Sequence, residues 1–355
     1  MYTTPADIES IDVDTDRLRM HCLVSGPPDG TPVILVHGNL ATSLFWDELM
    51  AAAPPAVRVI APDMRGFGST ERKPIDARRG LRDWADDVAA LVRAFGVEQP
   101  VHLVGWSTGG GAIMQYALDR PAGVASLTLI DTVSPFGFGA TSDVDGTPTS
   151  DDHAGSGAGL ANPEFVERLR AGDDGDTSDV SPRKVMRAFY WHPAHEMDAE
   201  REDALVAEVL KSNISEDGYP GDSVTSSNWP GVGPGGRGIL NALSPRWFNV
   251  SGIAGISPKP PVLWLRGDGD LIIGDQSMFD AGMLGQIGAI PGWPGEDVHR
   301  PQPMIAQTRA VLEAYAADGG QVREQVIVDS SHGPFIDHLE ETGDLVWGFV
   351  TGSSA

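Results

Sequence analysis

The sequence predicts an α/β fold, a mostly parallel central sheet flanked by helices, and three observations carry that prediction. Short β-branched runs alternate with helix-period segments over roughly the first 130 residues, the rhythm of β-α-β units. That rhythm stops near Pro135 and resumes at Pro261. At one strand-to-helix junction, Gly105-Trp106-Ser107-Thr108-Gly109, small residues stand two before and two after a serine, as a sharp turn requires.

Ile8–Val13 and Leu18–Val24 read as an antiparallel opening hairpin. Val33–Val36, Val57–Ile60, Val101–Val104 and Leu127–Ile130 are short apolar runs, the kind buried on both faces of a parallel sheet. Helices are expected at Ser43–Ala53, Leu81–Phe95 and Thr108–Asp119. Asp83, Asp86 and Asp87 fall in the first turns of the second, where acids suit the helix dipole. Between Pro135 and Lys259 no strand run is visible. Thr141–Gly159 and Gly172–Asp179 read as mobile acidic loops, Arg183–Trp191 and Asp198–Ile214 as amphipathic helices, and Trp229–Gly238 as a Pro/Gly-rich loop. A strand at Pro261–Leu265, a helix at Met304–Ala317, a strand at Gln325–Val328 and a last helix complete the pattern. The core is thus expected to be split by an insertion after its sixth strand.

Composition narrows the function. The 355 residues carry a formal net charge of −25, with Lys+Arg 25 against Asp+Glu 50. Such a surface repels nucleic acid and anionic membranes, so neither is an expected partner. Only Lys73, Lys184, Lys211 and Lys259 supply lysine, a pattern that coding bias and salt adaptation both produce. The single cysteine, Cys22, excludes an internal disulfide framework and a Cys-based zinc site. No signal-peptide pattern and no apolar run of about 18 residues is seen. A soluble, cytoplasmic protein is expected.

Ser107 is the candidate nucleophile. The turn presents it at the carboxyl edge of the sheet, and the N–H of Thr108 opens a helix N-terminus where negative charge is favoured. A second strand ends in His37-Gly38-Asn39. That loop can aim the N–H of Asn39 at an oxyanion over Ser107, with His37 bracing it. A serine needs a base, and the base an orienter. Among nine histidines, His332 follows a strand in Ser-Ser-His-Gly-Pro-Phe and opens a C-terminal helix. His338 reads as a surface residue of that helix, and His153, His192, His195 and His299 fall in insertions. The acid candidates are Asp268 and Asp270, just past another strand, with Asp270 better placed to reach an imidazole; Asp131, ending the sixth strand, is the alternative.

With nucleophile, acid and base in that order, the chain resembles the α/β-hydrolase fold superfamily. His37-Gly-Asn is similar to the family's oxyanion loop and Asp63-Met-Arg-Gly-Phe-Gly-Ser-Thr to its D-x-R-G-x-G-x-S turn, in which Arg65 is expected to make a local ion pair. Gly105-Trp-Ser-Thr-Gly-Gly looks like the nucleophile elbow of the bacterial arylesterase and cofactor-free haloperoxidase branch. Gly267-Asp-Gly-Asp and Ser331-His-Gly-Pro-Phe match the acid and histidine loops. The resemblance implies an α/β-hydrolase core at 1–135 and 260–355 and a mainly helical cap at 136–259 over Ser107. A serine at position 107 argues against dehalogenase and epoxide-hydrolase chemistry, which needs an aspartate there.

The stretch from Asp270 to His332 is about twice that of a minimal member, and the surplus, 274–303, is apolar. Leu40, Trp106, Phe136, Trp191, Met278, Met283 and Trp293 are the expected substrate-contacting side chains. The expected reaction is hydrolysis of a carboxylic ester or lactone of a fairly bulky, apolar, uncharged substrate through an acyl-enzyme on Ser107. Neither metal nor organic cofactor is implied, and the expected partner is a small-molecule substrate. Amidase or proline-iminopeptidase-type chemistry, C–C bond hydrolysis and perhydrolase/haloperoxidase activity are the alternatives on the same triad. A non-catalytic ligand-binding protein is a further alternative. The oligomeric state is left open.

Overall fold

The structure, a computed structural model, describes residues 2–5 and 7–352. Its strands are β1 (Glu9–Asp14), β2 (Arg19–Ser25), β3 (Thr31–Val36), β4 (Val57–Pro62), β5 (Val101–Trp106), β6 (Val124–Ile130), β7 (Ile214–Ser215), β8 (Tyr219–Pro220), β9 (Ser223–Thr225), β10 (Val232–Pro234), β11 (Val262–Gly267) and β12 (Val322–Ile327). Its helices are α1 (Asp47–Ala51), α2 (Arg82–Ala94), α3 (Thr108–Asp119), α4 (Pro163–Ala171), α5 (Pro182–Phe189), α6 (Ala199–Val209), α7 (Ile239–Ala242), α8 (Ala281–Gln286), α9 (Met304–Ala317), α10 (Pro334–Asp337) and α11 (Leu339–Thr351).

Eight strands form one sheet in the order β1-β2-β4-β3-β5-β6-β11-β12. The opening hairpin is antiparallel and β2 runs antiparallel to β4, while every pairing from β4 to β12 is parallel. Val33, Ile34, Leu35 and Val36 of β3 are fully buried, each worth about 1.5–3 kcal/mol in surface removed from water. Because β5, β6, β11 and β12 are adjacent and parallel, the loops leaving their carboxyl ends converge on one edge. That edge carries Ser107, Asp131, Asp270 and His332.

Two core elements differ from expectation in their limits. The helix expected at Ser43–Ala53 is a 3-10 turn, Ser43–Trp46, capped by the Thr42 side chain, followed by the short α1. The last strand begins at Val322 and leaves out Val328, which is 63% exposed. As an edge strand with largely solvated side chains, β12 lacks the continuous apolar run that marks the inner strands.

The segment between β6 and β11 does contain strands, which corrects the sequence reading: β7 pairs with β8 and β9 with β10. Strands of two or three residues are too short to leave a periodic signal. Asn162, Ser181 and Asp198 cap α4, α5 and α6, with prolines entering the first turns of α4 and α5. The stretch 141–159, expected as a mobile loop, is pinned. Thr141 and Ala154 are fully buried, backbone bridges join Gly139 to Ser156 and Thr141 to Pro148, and Gln307 donates to Thr141 Oγ1 at 3.0 Å. In 172–179, Asp173 pairs with Arg168, Asp176 with Arg187 and Asp179 with Lys184. Phe165, Met186, Trp191 and Leu205 belong to the same apolar cluster as the sheet. Among the described residues no helix is long and apolar enough to cross a membrane.

Candidate active site

Ser107 follows β5 directly, with φ 56° and ψ −118°. Such a backbone costs a non-glycine residue about 1–3 kcal/mol and must be held by its surroundings. The Ser107 N–H donates to Ile130 O at 2.9 Å and its carbonyl accepts from Gly110 N at 3.0 Å. The flanking glycines are obligatory: a Cβ on Gly105 would lie 2.5 Å from Gly109 O, and one on Gly109 2.1 Å from Val36 O. The Ser107 side chain makes no capping bond to α3, so its hydroxyl is not committed to the helix.

The loop after β3 crosses this serine. A Cβ on Gly38 would sit 3.0 Å from Ser107 Cβ. His37 Nε2 accepts from Met64 N at 2.8 Å, so its Nδ1–H donates to Gly38 O at 2.7 Å. Burial holds this neutral ring down at about 4. His37 therefore braces the loop, and Asn39 and Leu40 follow it. The Tyr190 hydroxyl, from the end of α5, is within hydrogen-bonding distance of Asn39 O at 3.2 Å and Leu40 O at 3.3 Å. Asp63 anchors the neighbouring turn through Ser43 and Ser69. Burial alone would push its carboxyl up, but hydrogen bonds from His21, Ser69 and Ser43 hold it at about 2. Arg65 makes its expected ion pair, a fork onto Asp87 at 2.8 and 2.9 Å.

His332 lies just beyond β12 and Asp270 just beyond β11. Their side chains meet, Nδ1 to Oδ2, at 2.8 Å, with both almost wholly buried. Asp270 Oδ1 accepts from Ile272 N at 2.7 Å and Ile273 N at 3.1 Å, which fixes the carboxylate's orientation. The Trp106 indole N–H donates to His332 O at 2.6 Å, and the two rings are 5.3 Å apart. Asp337 secures the same loop from below. It accepts from Ser330 Oγ at 2.6 Å and Ser331 N at 3.0 Å, and also from His192 N at 2.8 Å in the inserted segment. The Asp131 carboxyl accepts from Gly267 N at 3.1 Å, while His332 Nδ1 is taken by Asp270. A hydroxyl, an imidazole and an oriented carboxylate at one sheet edge, beside N–H groups of a loop and a helix N-terminus, is an arrangement suited to acyl transfer.

The expected substrate contacts divide by burial. Leu40, Trp106 and Trp191 are buried, and Trp106 packs among Phe45, Trp46, Tyr190 and Phe335. Phe136, Met278, Met283 and Trp293 are half-buried. The indole of Trp293 donates to His299 O at 2.7 Å within residues 274–303, and that of Trp229 donates to Pro291 O at 2.9 Å, which joins 274–303 to the larger inserted segment. His299 is buried there, its ring pushed down to about 4 by burial. His192, His195 and His338 line an open surface groove with Asp337. Among the described residues no group of three or more His, Cys, Asp or Glu side chains is disposed to hold a metal ion.

Sequence reasoning missed Tyr190 and Asp337 as supports of the site. Tyr190 meets Asn39 and Leu40, and Asp337 meets His192, through backbone groups far away in the sequence, and nothing local in the chain marks either residue.

Comparison with known proteins bears on the same residues. The sequence matches the alpha/beta hydrolase fold family over residues 31–281. It is 35% identical over 125 residues to a non-heme chloroperoxidase of Streptomyces lividans, and 36% identical over 125 residues to the bifunctional esterase/perhydrolase DCH of Acinetobacter calcoaceticus. Each match takes in 35% of this chain and 44% of the relative, so the chain spans less than half the length of these proteins. The solved esterase RhEst1 of Rhodococcus sp. ECU1013 superposes with a TM-score of 0.60 at 19% identity, covering 98% of this chain and 100% of that one, a likeness of fold. The match to the family's sequence pattern over residues 31–281, together with the strand order and the serine elbow, places the chain in the alpha/beta hydrolase fold family.

Proposed function

We propose that the protein is a serine hydrolase that cleaves a carboxylic ester or lactone of a fairly bulky, apolar, uncharged substrate. The observation that carries this reading is the His332–Asp270 pair at 2.8 Å, on the sheet edge that presents Ser107. Ser107 Oγ attacks the carbonyl carbon and passes its proton to His332 Nε2, while Asp270 holds the Nδ1–H tautomer. The N–H groups of Asn39 and Thr108 receive the oxyanion; loss of one such donor costs about 3–4 kcal/mol of barrier. The imidazolium then protonates the leaving alkoxide. Water, deprotonated by His332, cleaves the acyl-enzyme to acid and free Ser107.

Residues 1–135 and 260–355 form the core in this reading, and 136–259 form a cap over the serine. Support for the cap comes from Tyr190, whose hydroxyl reaches Asn39 O and Leu40 O, and from Gly333, where a Cβ would lie 2.9 Å from Tyr190 O. The apolar side chains of the cap and of 274–303, with the net charge of −25, favour an uncharged substrate over an anionic one. A second reading, perhydrolysis, is favoured by the similarity to the esterase/perhydrolase DCH: hydrogen peroxide in place of water releases a peracid from the same acyl-enzyme.

The test is labelling by a fluorophosphonate probe together with a panel of esters, lactones and matched anilides, with and without peroxide. Labelling that Ser107→Ala abolishes, and ester or lactone turnover above anilide turnover, are the expected results. An unlabelled wild-type protein, or equal labelling of Ser107→Ala, sinks the reading.

A further inference from the structure

Asp131 ends β6 and is 1% exposed, with an uncommon backbone of φ 38°. Its N–H donates to Leu265 O at 2.9 Å, and its carboxyl accepts from Gly267 N at 3.1 Å. Both contacts hold it against the end of β11, where the chain turns towards Asp270. Asp270 follows three residues after Gly267, and its charge acts on the buried Asp131 carboxyl. Two neighbouring buried carboxyls resist ionising together. Burial first, and the Asp270 charge second, push the Asp131 carboxyl well above the ordinary carboxylate range, and Asp337 on α10 adds to the effect.

We propose that Asp131 is a positioning residue whose carboxyl O–H donates to Asp270 and fixes that carboxylate against His332. The proposal rests on the serine-hydrolase reading, since it concerns the same triad. A carboxylate offers about four acceptor sites. Asp270 receives the N–H groups of Ile272 and Ile273 on Oδ1 and His332 Nδ1 on Oδ2, and the Asp131 O–H occupies what remains. A carboxylate with every lone pair engaged has one rotamer and a diminished capacity to take the proton from His332. An ionised Asp131 would instead set a second buried negative charge near Asp270 and Asp337, with the Gly267 N–H as its donor.

The experiment is the pH dependence of Ser107 labelling by a fluorophosphonate in wild type, Asp131→Asn and Asp131→Val. The readout needs no knowledge of the natural substrate. The Asn amide keeps a donor for Asp270 and an acceptor for Gly267 N, so Asp131→Asn is expected to label at close to the wild-type rate at neutral pH. Valine removes the donor, and a charge-assisted bond of this kind predicts labelling about 10-fold to 100-fold slower. On the alkaline side wild type is expected to slow relative to Asp131→Asn, because only the former can ionise.

Asp131→Val labelling as fast as wild type, Asp131→Asn as slow as Asp131→Val, or superimposable alkaline limbs for wild type and Asp131→Asn would each overturn the proposal. Circular dichroism establishes whether Asp131→Val folds; if it does not, the pH profiles of wild type and Asp131→Asn decide alone. A wild-type protein that takes no label defeats the serine-hydrolase reading itself, an outcome separate from all of these.

Discussion

The Trp106 indole N–H donates to the carbonyl of His332 at 2.6 Å, so the residue preceding Ser107 holds the backbone of the base. The two partners are 226 positions apart in the chain. One bond thus ties the nucleophile's strand to the base's loop, inside a cluster that includes Phe45, Trp46 and Phe335.

Trp106→Phe keeps most of the ring packing but leaves the His332 carbonyl buried without this donor. An orphaned buried carbonyl costs about 1–3 kcal/mol. A lowered midpoint in thermal unfolding is expected, together with slower fluorophosphonate labelling of Ser107 as the base loses its fixed backbone. Unchanged labelling would show that His332 is positioned without Trp106.

Gly38→Ala puts a methyl group 3.0 Å from Ser107 Cβ and 3.2 Å from Trp106 Cε3. Neither neighbour is free to yield, since Ser107 sits in a strained turn and Trp106 is fully buried. Overpacking of this kind costs about 1–3 kcal/mol. Because the displaced atoms are the nucleophile and the oxyanion loop, kcat for an ester is expected to fall by at least about tenfold, with KM changed less. Steady-state kinetics on an activated ester measures both.

His37 is neutral in the fold, held down at about 4 by burial from an ordinary value of 6.5. Between those values the unfolded chain binds a proton at this ring and the folded chain does not. The ring's contribution to stability is complete above 6.5 and is lost as pH falls towards about 4. From 6.5 down to about pH 5 the loss is about 2 kcal/mol. His299, also low through burial, adds a slope of the same sign, and Asp131, raised by burial, a slope of opposite sign. The difference between wild type and His37→Gln isolates the His37 share. Urea unfolding at neutral pH and at about pH 5 is expected to show the smaller loss in the variant, and equal losses would contradict the neutral brace.

How much of this was legible in the chain depends on the range of the interaction concerned. Local rules sufficed for the inner strands, where β-branched runs such as Val33–Val36 match buried positions. They sufficed also for the elbow, where Gly105 and Gly109 are demanded by backbone atoms a few residues away or on the adjoining strand. Local rules were weaker at β12, an edge strand with a solvated face, and in the two short ladders between β6 and β11, which are too brief for any period to show.

The choice between Asp270 and Asp131 belongs to the tertiary structure. Both follow strands of the same sheet, and both were admissible on sequence. Pairing β11 between β6 and β12 sets Asp270 on His332 Nδ1 and Asp131 on Gly267 N, because strand order, not sequence order, fixes which side chains share an edge. The bonds of Tyr190 to Asn39 O and Leu40 O and of Asp337 to His192 N are of the same kind, since these partners are backbone groups brought close only by folding. By itself the sequence determined the kind of sheet, the serine elbow and the candidate residues. The tertiary structure alone decided which carboxylate meets the imidazole and which residues hold that pair, since hydrogen bonds act over about 3 Å between groups the chain keeps dozens to hundreds of residues apart.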